Sequence, residues 1–125
     1  MAAQRSGQKA VVLVVEDEPL LRMAATCLVE DAGFEAIEAS NADEAILILE
    51  ARTDIHIVFT DIDMPGSMDG LKLAEAVRGR WPPIEIIVTS GHRIVGADDL
   101  PRGSVFFAKP YRDEDVVAAL RRMAA

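Results

Sequence analysis

Residues 11–17 read VVLVVED, five uninterrupted aliphatic residues closed by two adjacent acids. A strand with one wet face alternates apolar and polar residues, so an unbroken run implies burial on both faces, as in a parallel sheet covered by helices. Three more runs repeat the pattern: IHIVFT before Asp61, IEIIVT before Ser90 and VFFA before Lys109. The carboxyl ends of parallel strands share one edge, and open α/β sheets bind ligands there. Two or three carboxylates, a hydroxyl and an ammonium are therefore expected to converge. Such a set suits a small hard cation and a phosphoryl group together.

Helical patterns fill the gaps. Pro19 suits a first helical turn, and Leu20, Leu21, Ala24 and Leu28 recur at helical spacing before Gly33 stops the helix. A second strand is predicted over 34–38. Asn41 and Glu44 form a capping-box signature for a helix to about Arg52, with Ala45, Ile46 and Leu49 facing the core. A strand over 55–60, the turn-rich loop DIDMPGSMDG, a helix over 71–78 ended by Trp81, Pro82 and Pro83, and a strand over 84–89 come next. The last elements are a strand over 105–108 and a helix over 113–123. Between the fourth and fifth strands, Gly96, Pro101 and Gly103 interrupt the segment GHRIVGADDLPRGS. A short or irregular fourth helix is expected there, and a candidate switch element, because loosely packed segments rearrange at modest cost. Repeated βα units of this kind give an α/β fold with a parallel sheet.

At 125 residues the chain fits one domain over 10–125 after a flexible arm over 1–9. No apolar run nears the ~20 residues needed to cross a bilayer, and the start lacks the apolar centre of a secretory signal. No membrane contact and a cytoplasmic location are expected. The net charge is −8, from 21 acidic and 13 basic residues with no basic cluster, which argues against nucleic acid as a partner. Cys27, the one cysteine, has no disulfide partner in the chain and sits in an apolar stretch, so a buried structural thiol is expected.

Adjacent acids after an apolar run are commonly solvated. Glu16 and Asp17 brought beside Asp61, however, offer the hard oxygens that hold Mg²⁺, which takes one or two carboxylates along with water and phosphate. In the tight loop after Asp61, the backbone carbonyl of Asp63 can face the same cation. A carboxylate is also a nucleophile toward phosphorus, forming an acyl phosphate. A cation on one side and Lys109 on the other would neutralise the charge on the transferred oxygens. No His–acid pair at recognisable spacing marks Ser90 as a hydrolase nucleophile, so its hydroxyl reads as a hydrogen-bond donor that senses modification.

The motifs VVEDEP, FTDIDMPG followed by MDG, VTSG and FFAKPY stand in the order and approximate spacing of a response-regulator receiver domain of bacterial two-component signalling. The chain resembles that family from Val11 to about Met123. The resemblance implies a doubly wound, five-stranded parallel sheet in the flavodoxin-like order 2-1-3-4-5. It implies Asp61 as phosphoacceptor, with Glu16, Asp17, Asp61 and the Asp63 carbonyl serving Mg²⁺. Ser90 takes the place of the hydroxyl switch residue and Lys109 of the phosphate-binding lysine, with Pro110 after a cis bond. Phe106 falls at the aromatic switch position and carries no hydroxyl. The implied function is that of a stand-alone switch, not an enzyme in the usual sense. It receives a phosphoryl group from a histidine kinase or phosphotransfer protein and signals to a downstream protein.

Three departures from the family pattern stand out. The acidic pair is Glu-Asp where Asp-Asp is commoner, and the stretch from Ser90 to Lys109 is short. Asp63 places an extra carboxylate two residues after the acceptor, where side chains border the phosphoryl group and influence its lifetime. His92 holds the other flanking position, and His56 reads as a strand residue without chemistry. Two competing readings are a haloacid-dehalogenase-like phosphohydrolase, from the spacing of Asp61 and Asp63, and a pseudo-receiver that keeps the fold without cycling phosphate.

Overall fold

A computed structural model describes residues 9–125. Residues 1–8 of the expected arm lie outside the described residues. Strands β1 (Val11–Val15), β2 (Glu35–Ala39), β3 (Ile55–Asp61), β4 (Glu85–Ser90) and β5 (Ser104–Ala108) alternate with helices α1 (Pro19–Asp31), α2 (Ala42–Ala51), α3 (Gly70–Arg80) and α4 (Asp113–Ala124). The five strands form one parallel sheet in the order β2-β1-β3-β4-β5. Between β4 and β5 stands only a 3-10 turn, Ala97–Asp99, where the glycines and proline were expected to spoil a helix.

The unbroken apolar run of β1 is explained by two cores. Leu13 and Val15 pack with Ala45 and Leu49 of α2 and Leu73 and Val77 of α3 on one face. Val12 and Val14 pack with Ala25 and Val29 of α1 and Val116 and Leu120 of α4 on the other. All five residues of β1 are buried, which is why no polar residue alternates into the run.

Local rules set the ends of the helices. Asn41 Oδ1 accepts the Glu44 N–H at 2.7 Å, while Glu44 Oε1 accepts the Ser40 N–H at 2.5 Å in place of that of Asn41, a capping box displaced by one residue. Asp69 Oδ1 caps α3 by accepting the Lys72 N–H at 3.0 Å. A bulge between Val11 and Val12 interrupts the β1–β3 ladder. There His56 Nδ1 accepts the Val11 N–H at 3.1 Å, so this histidine has a structural duty that its strand position did not announce.

One expectation about α1, the buried thiol of Cys27, is corrected. The helix buries Ala25, Thr26 and Val29, leaving Leu20 and Leu21 at 75% and 49% exposure. Relative to the stripe of leucines and Ala24, it is rolled by about one residue, or ~100°. Cys27 follows buried Ala25 by two residues, roughly 200° around the helix, and is exposed.

Candidate functional site

Strand register puts the chemical residues side by side. Val15 pairs with Thr60, Asp61 with Thr89, and Ser90 with Ala108, so Glu16, Asp61, Ser90 and Lys109 stand at neighbouring carboxyl ends. Ladder-like bonds continue past the strands: Glu16 N–H to Ala39 O at 3.1 Å, Ile62 N–H to Thr89 O at 2.8 Å and Lys109 N–H to Ser90 O at 2.9 Å. The backbone under the site is thereby pinned. The site lies where the order reverses between β1 and β3, the usual ligand position in such sheets.

Lys109 Nζ lies 3.3 Å from Asp61 Oδ1 and 3.4 Å from Glu16 Oε1. The approach to Asp61 is an ion pair out of hydrogen-bond alignment, so buried Asp61 Oδ1 has no hydrogen-bond partner. Burial pushes the Asp61 carboxyl above its ordinary pKa; Lys109 opposes this and the charge of Asp63 adds to it. Glu16 is raised as well, by burial first, against the Glu18 N–H and Lys109. Burial pulls the Lys109 ammonium down, but Asp61 and Glu16 outweigh it and the pKa ends raised. A mostly apolar cleft of about 400 Å³ opens beside these groups, lined by Leu21, Ala24, Phe59, Pro110 and Tyr111 among others.

Glu16, Asp17 and Asp61 each offer a carboxylate oxygen, all within 4.8 Å of one another. Three negative charges face one ammonium, all donors are hard oxygens, and one buried oxygen has no hydrogen bond. That donor set fits a divalent cation of the Mg²⁺ type.

On the far side of Asp61, Ser90 is buried and its Oγ donates to Asp63 Oδ2 at 2.6 Å. The same oxygen accepts the N–H groups of His92 and Arg93 at 3.1 and 3.0 Å. Arg93 Nε stands 3.4 Å from Asp63 Oδ1.

With this geometry in place, the comparison with known families is decisive: the model of the response regulator receiver domain matches residues 12–121. The chain belongs to that family. The receiver is 30% identical over 115 residues to the nitrogen assimilation regulatory protein NtrX of Azorhizobium caulinodans, covering 89% of this chain and 25% of NtrX. It is 32% identical over 118 residues to the sensor kinase CckA of Brucella abortus, covering 91% of this chain and 12% of CckA. The chain thus spans about a quarter or less of these curated relatives. A solved receiver protein from Sinorhizobium medicae superposes with a TM-score of 0.87 at 27% identity, covering 95% of this chain and 97% of that one.

The receiver's other expected residues are placed as follows. The Lys109–Pro110 bond is cis. Phe106 is half-buried beside Val95 and Leu100, against the core that α2 and α3 share. His92 is exposed and enters the site only through its backbone. The phosphohydrolase reading of Asp61 and Asp63 gives way to the family match. No helix of the described residues is long and apolar enough to cross a membrane.

Arg93 escaped the reading of the sequence, and Gly70 entered it only as the last residue of the MDG motif, with no role assigned. Arg93 was one unremarkable cation in an irregular segment. Gly70 opens α3, and a Cβ there would stand 2.1 Å from Asp61 O and 2.7 Å from Ile62 Cα. Its N–H donates to Ile62 O at 3.1 Å, so the helix start rests on the backbone of the acceptor strand. The available signal was a glycine at a helix start where side chains normally favour the helix.

Proposed function

We propose that this receiver is a phosphorylation switch with Asp61 as the phosphoacceptor, charged by a histidine kinase or phosphotransfer protein and read by a downstream protein partner. The observation that carries the reading is Asp61 Oδ1, a buried carboxylate oxygen without a hydrogen bond, 3.3 Å from Lys109 Nζ within a trio of acids. Glu16, Asp17, Asp61 and the Asp63 carbonyl are the groups proposed to hold Mg²⁺. When bound, the cation supplies positive charge that offsets repulsion between the Asp61 carboxylate and the incoming phosphoryl oxygens.

In the transfer, a carboxylate oxygen of Asp61 attacks phosphorus in line. The P–N bond of the phosphohistidine breaks, its electron pair stays on the imidazole nitrogen, which takes up a proton, and a P–O bond of an acyl phosphate forms. Lys109 follows the negative charge on the phosphoryl oxygens, while Ser90 donates to one of them and Phe106 repacks. In hydrolysis, water attacks phosphorus, the P–O bond to Asp61 breaks, and carboxylate and inorganic phosphate are released. The cleft beside Leu21 and Tyr111 leaves a route for the donor. In this reading the receiver catalyses its own modification and no turnover of another substrate.

Intact-mass analysis after incubation with Mg²⁺ and a small-molecule phosphodonor tests this. A single metal-dependent phosphoryl adduct is expected on the parent and none on Asp61→Asn. An adduct that persists on the asparagine variant rejects Asp61. No adduct on the parent, with a control receiver labelled by the same donor and a kinase also ineffective, leaves a pseudo-receiver.

A further inference from the structure

The inference about Ser90 rests on the phosphoacceptor reading of Asp61. A serine hydroxyl has one proton to donate and two lone pairs to share. For Ser90 all are in use. The proton goes to Asp63 Oδ2 at 2.6 Å, and the oxygen accepts from the His92 and Arg93 backbone at 3.1 and 3.0 Å. An O–H to carboxylate bond of that length is charge-assisted, about twice as strong as a neutral one. Ser90 therefore has nothing to give Asp61 until Asp63 lets go.

Asp63 is itself steadied. Arg93 Nε lies 3.4 Å from Asp63 Oδ1, and Arg93 Nη2 lies 3.5 Å from Asp69 Oδ2. Asp69 caps α3 through its other oxygen. One chain of polar contacts thus joins the end of β4, the loop after β3 and the first turn of α3. With side-chain exposures of 46% for Arg93 and 22% for Asp63, the ion pair is partly in water and reversible.

We infer that Asp63 is a positioning residue that latches the Ser90 hydroxyl away from Asp61, so a phosphoryl group must displace the Asp63 carboxylate from Ser90 to throw the switch. Both acceptors are anionic and compete for one proton. The phosphoryl group brings more charge and repels Asp63 toward Arg93, and the freed hydroxyl carries residues 90–93 with it. The latch sets how far phosphorylation shifts the two conformations, because its loss is subtracted from whatever Ser90 gains at the phosphoryl group.

A double-mutant cycle on the whole chain tests this, with beryllium fluoride and saturating Mg²⁺ as the phosphoryl mimic and the amide resonances of residues 90–93 as the readout. Asp63→Ala should tighten apparent affinity roughly ten-fold, the factor for relinquishing one hydrogen bond to a charged acceptor. In the Ser90→Ala background the same change should give a markedly smaller gain, since no hydroxyl remains to be released and only the relief of the Asp63 charge is left. Equal tightening in both backgrounds means that Asp63 acts by charge alone, and no tightening in either means there is no latch; each result overturns the inference. Asp63→Asn keeps a weaker acceptor and should give a smaller gain with the same dependence on Ser90, so the test survives if the alanine variant does not fold. Failure of the parent to bind the mimic, or binding that Asp61→Asn leaves intact, would instead overturn the phosphoacceptor reading of Asp61, a result distinct from a parent that binds without a latch.

Discussion

Lys109 Nζ stands 3.3 Å from Asp61 Oδ1 and shares its charge with Glu16 Oε1 at 3.4 Å. One ammonium therefore serves two buried carboxylates with Asp17 close by, and the site is left short of positive charge. That deficit suits the cation site proposed for these acids, and it costs stability while no cation is bound.

Asp61→Asn should therefore stabilise the fold at neutral pH. The raised pKa of Asp61 means the folded chain binds that proton more tightly than the unfolded chain, so the ionised carboxylate costs stability above the folded pKa. As pH falls through that raised pKa the cost fades, and so should the advantage of the variant. At neutral pH we expect Tm higher by roughly 3–5 °C, corresponding to ~1 kcal/mol for a domain of this size. Thermal melts of both proteins across a pH series check this, and equal Tm values at neutral pH would contradict it.

Mg²⁺ should raise the Tm of the parent, by an amount equivalent to ~1.4 kcal/mol when its concentration is ten times Kd. Glu16→Gln and Asp17→Asn should each weaken that response. Because Glu16 and Asp61 both hold protons more firmly than ordinary carboxylates, Mg²⁺ affinity should begin to fall at a higher pH than it would for unperturbed acids. Calorimetric titration at several pH values measures it.

Lys109→Met should leave Mg²⁺ binding intact or stronger, since a competing cation is gone, while slowing labelling of Asp61 by about 10²-fold, the usual loss for one preorganised electrostatic group. Labelling rate and Mg²⁺ affinity measured on the same variant separate the two effects. A parallel loss of both would mean that Lys109 only holds the site together.

Gly70→Ala should be costly despite its small size. The added methyl would meet the backbone of Asp61 and Ile62, which cannot rotate away as a side chain can. We expect at least the ~1–3 kcal/mol typical of overpacking, seen as a lower urea midpoint, and slower labelling because the acceptor strand must shift. Gly79, where an added Cβ meets nothing within 4 Å, provides the matched control.

Much of the site was legible because its members sit at the ends of hydrophobic runs. Asp61, Ser90 and Lys109 each close a run long enough to be a buried strand, and parallel pairing then leaves one edge for all three. The face that α1 buries was not legible, because its exposed leucines also stand at helical spacing, whereas the sheet receives the smaller Ala25, Thr26 and Val29. Cys27 was misplaced because an apolar stretch does not say which face of a helix a residue takes.

Burial on both faces of a strand, the interruption of a helix by glycine and proline, and the order of acids, hydroxyl and ammonium along the chain are local properties, and the amino-acid sequence by itself determined them. What holds Ser90 was decided only by tertiary structure. Asp63 lies 27 residues away, and strand register together with the path of two loops brings its carboxylate to the hydroxyl. The same holds for Gly70, whose missing side chain matters only because α3 begins against the backbone of β3. Contacts of this kind depend on where separate segments come to rest in space, and no spacing along the chain encodes that distance.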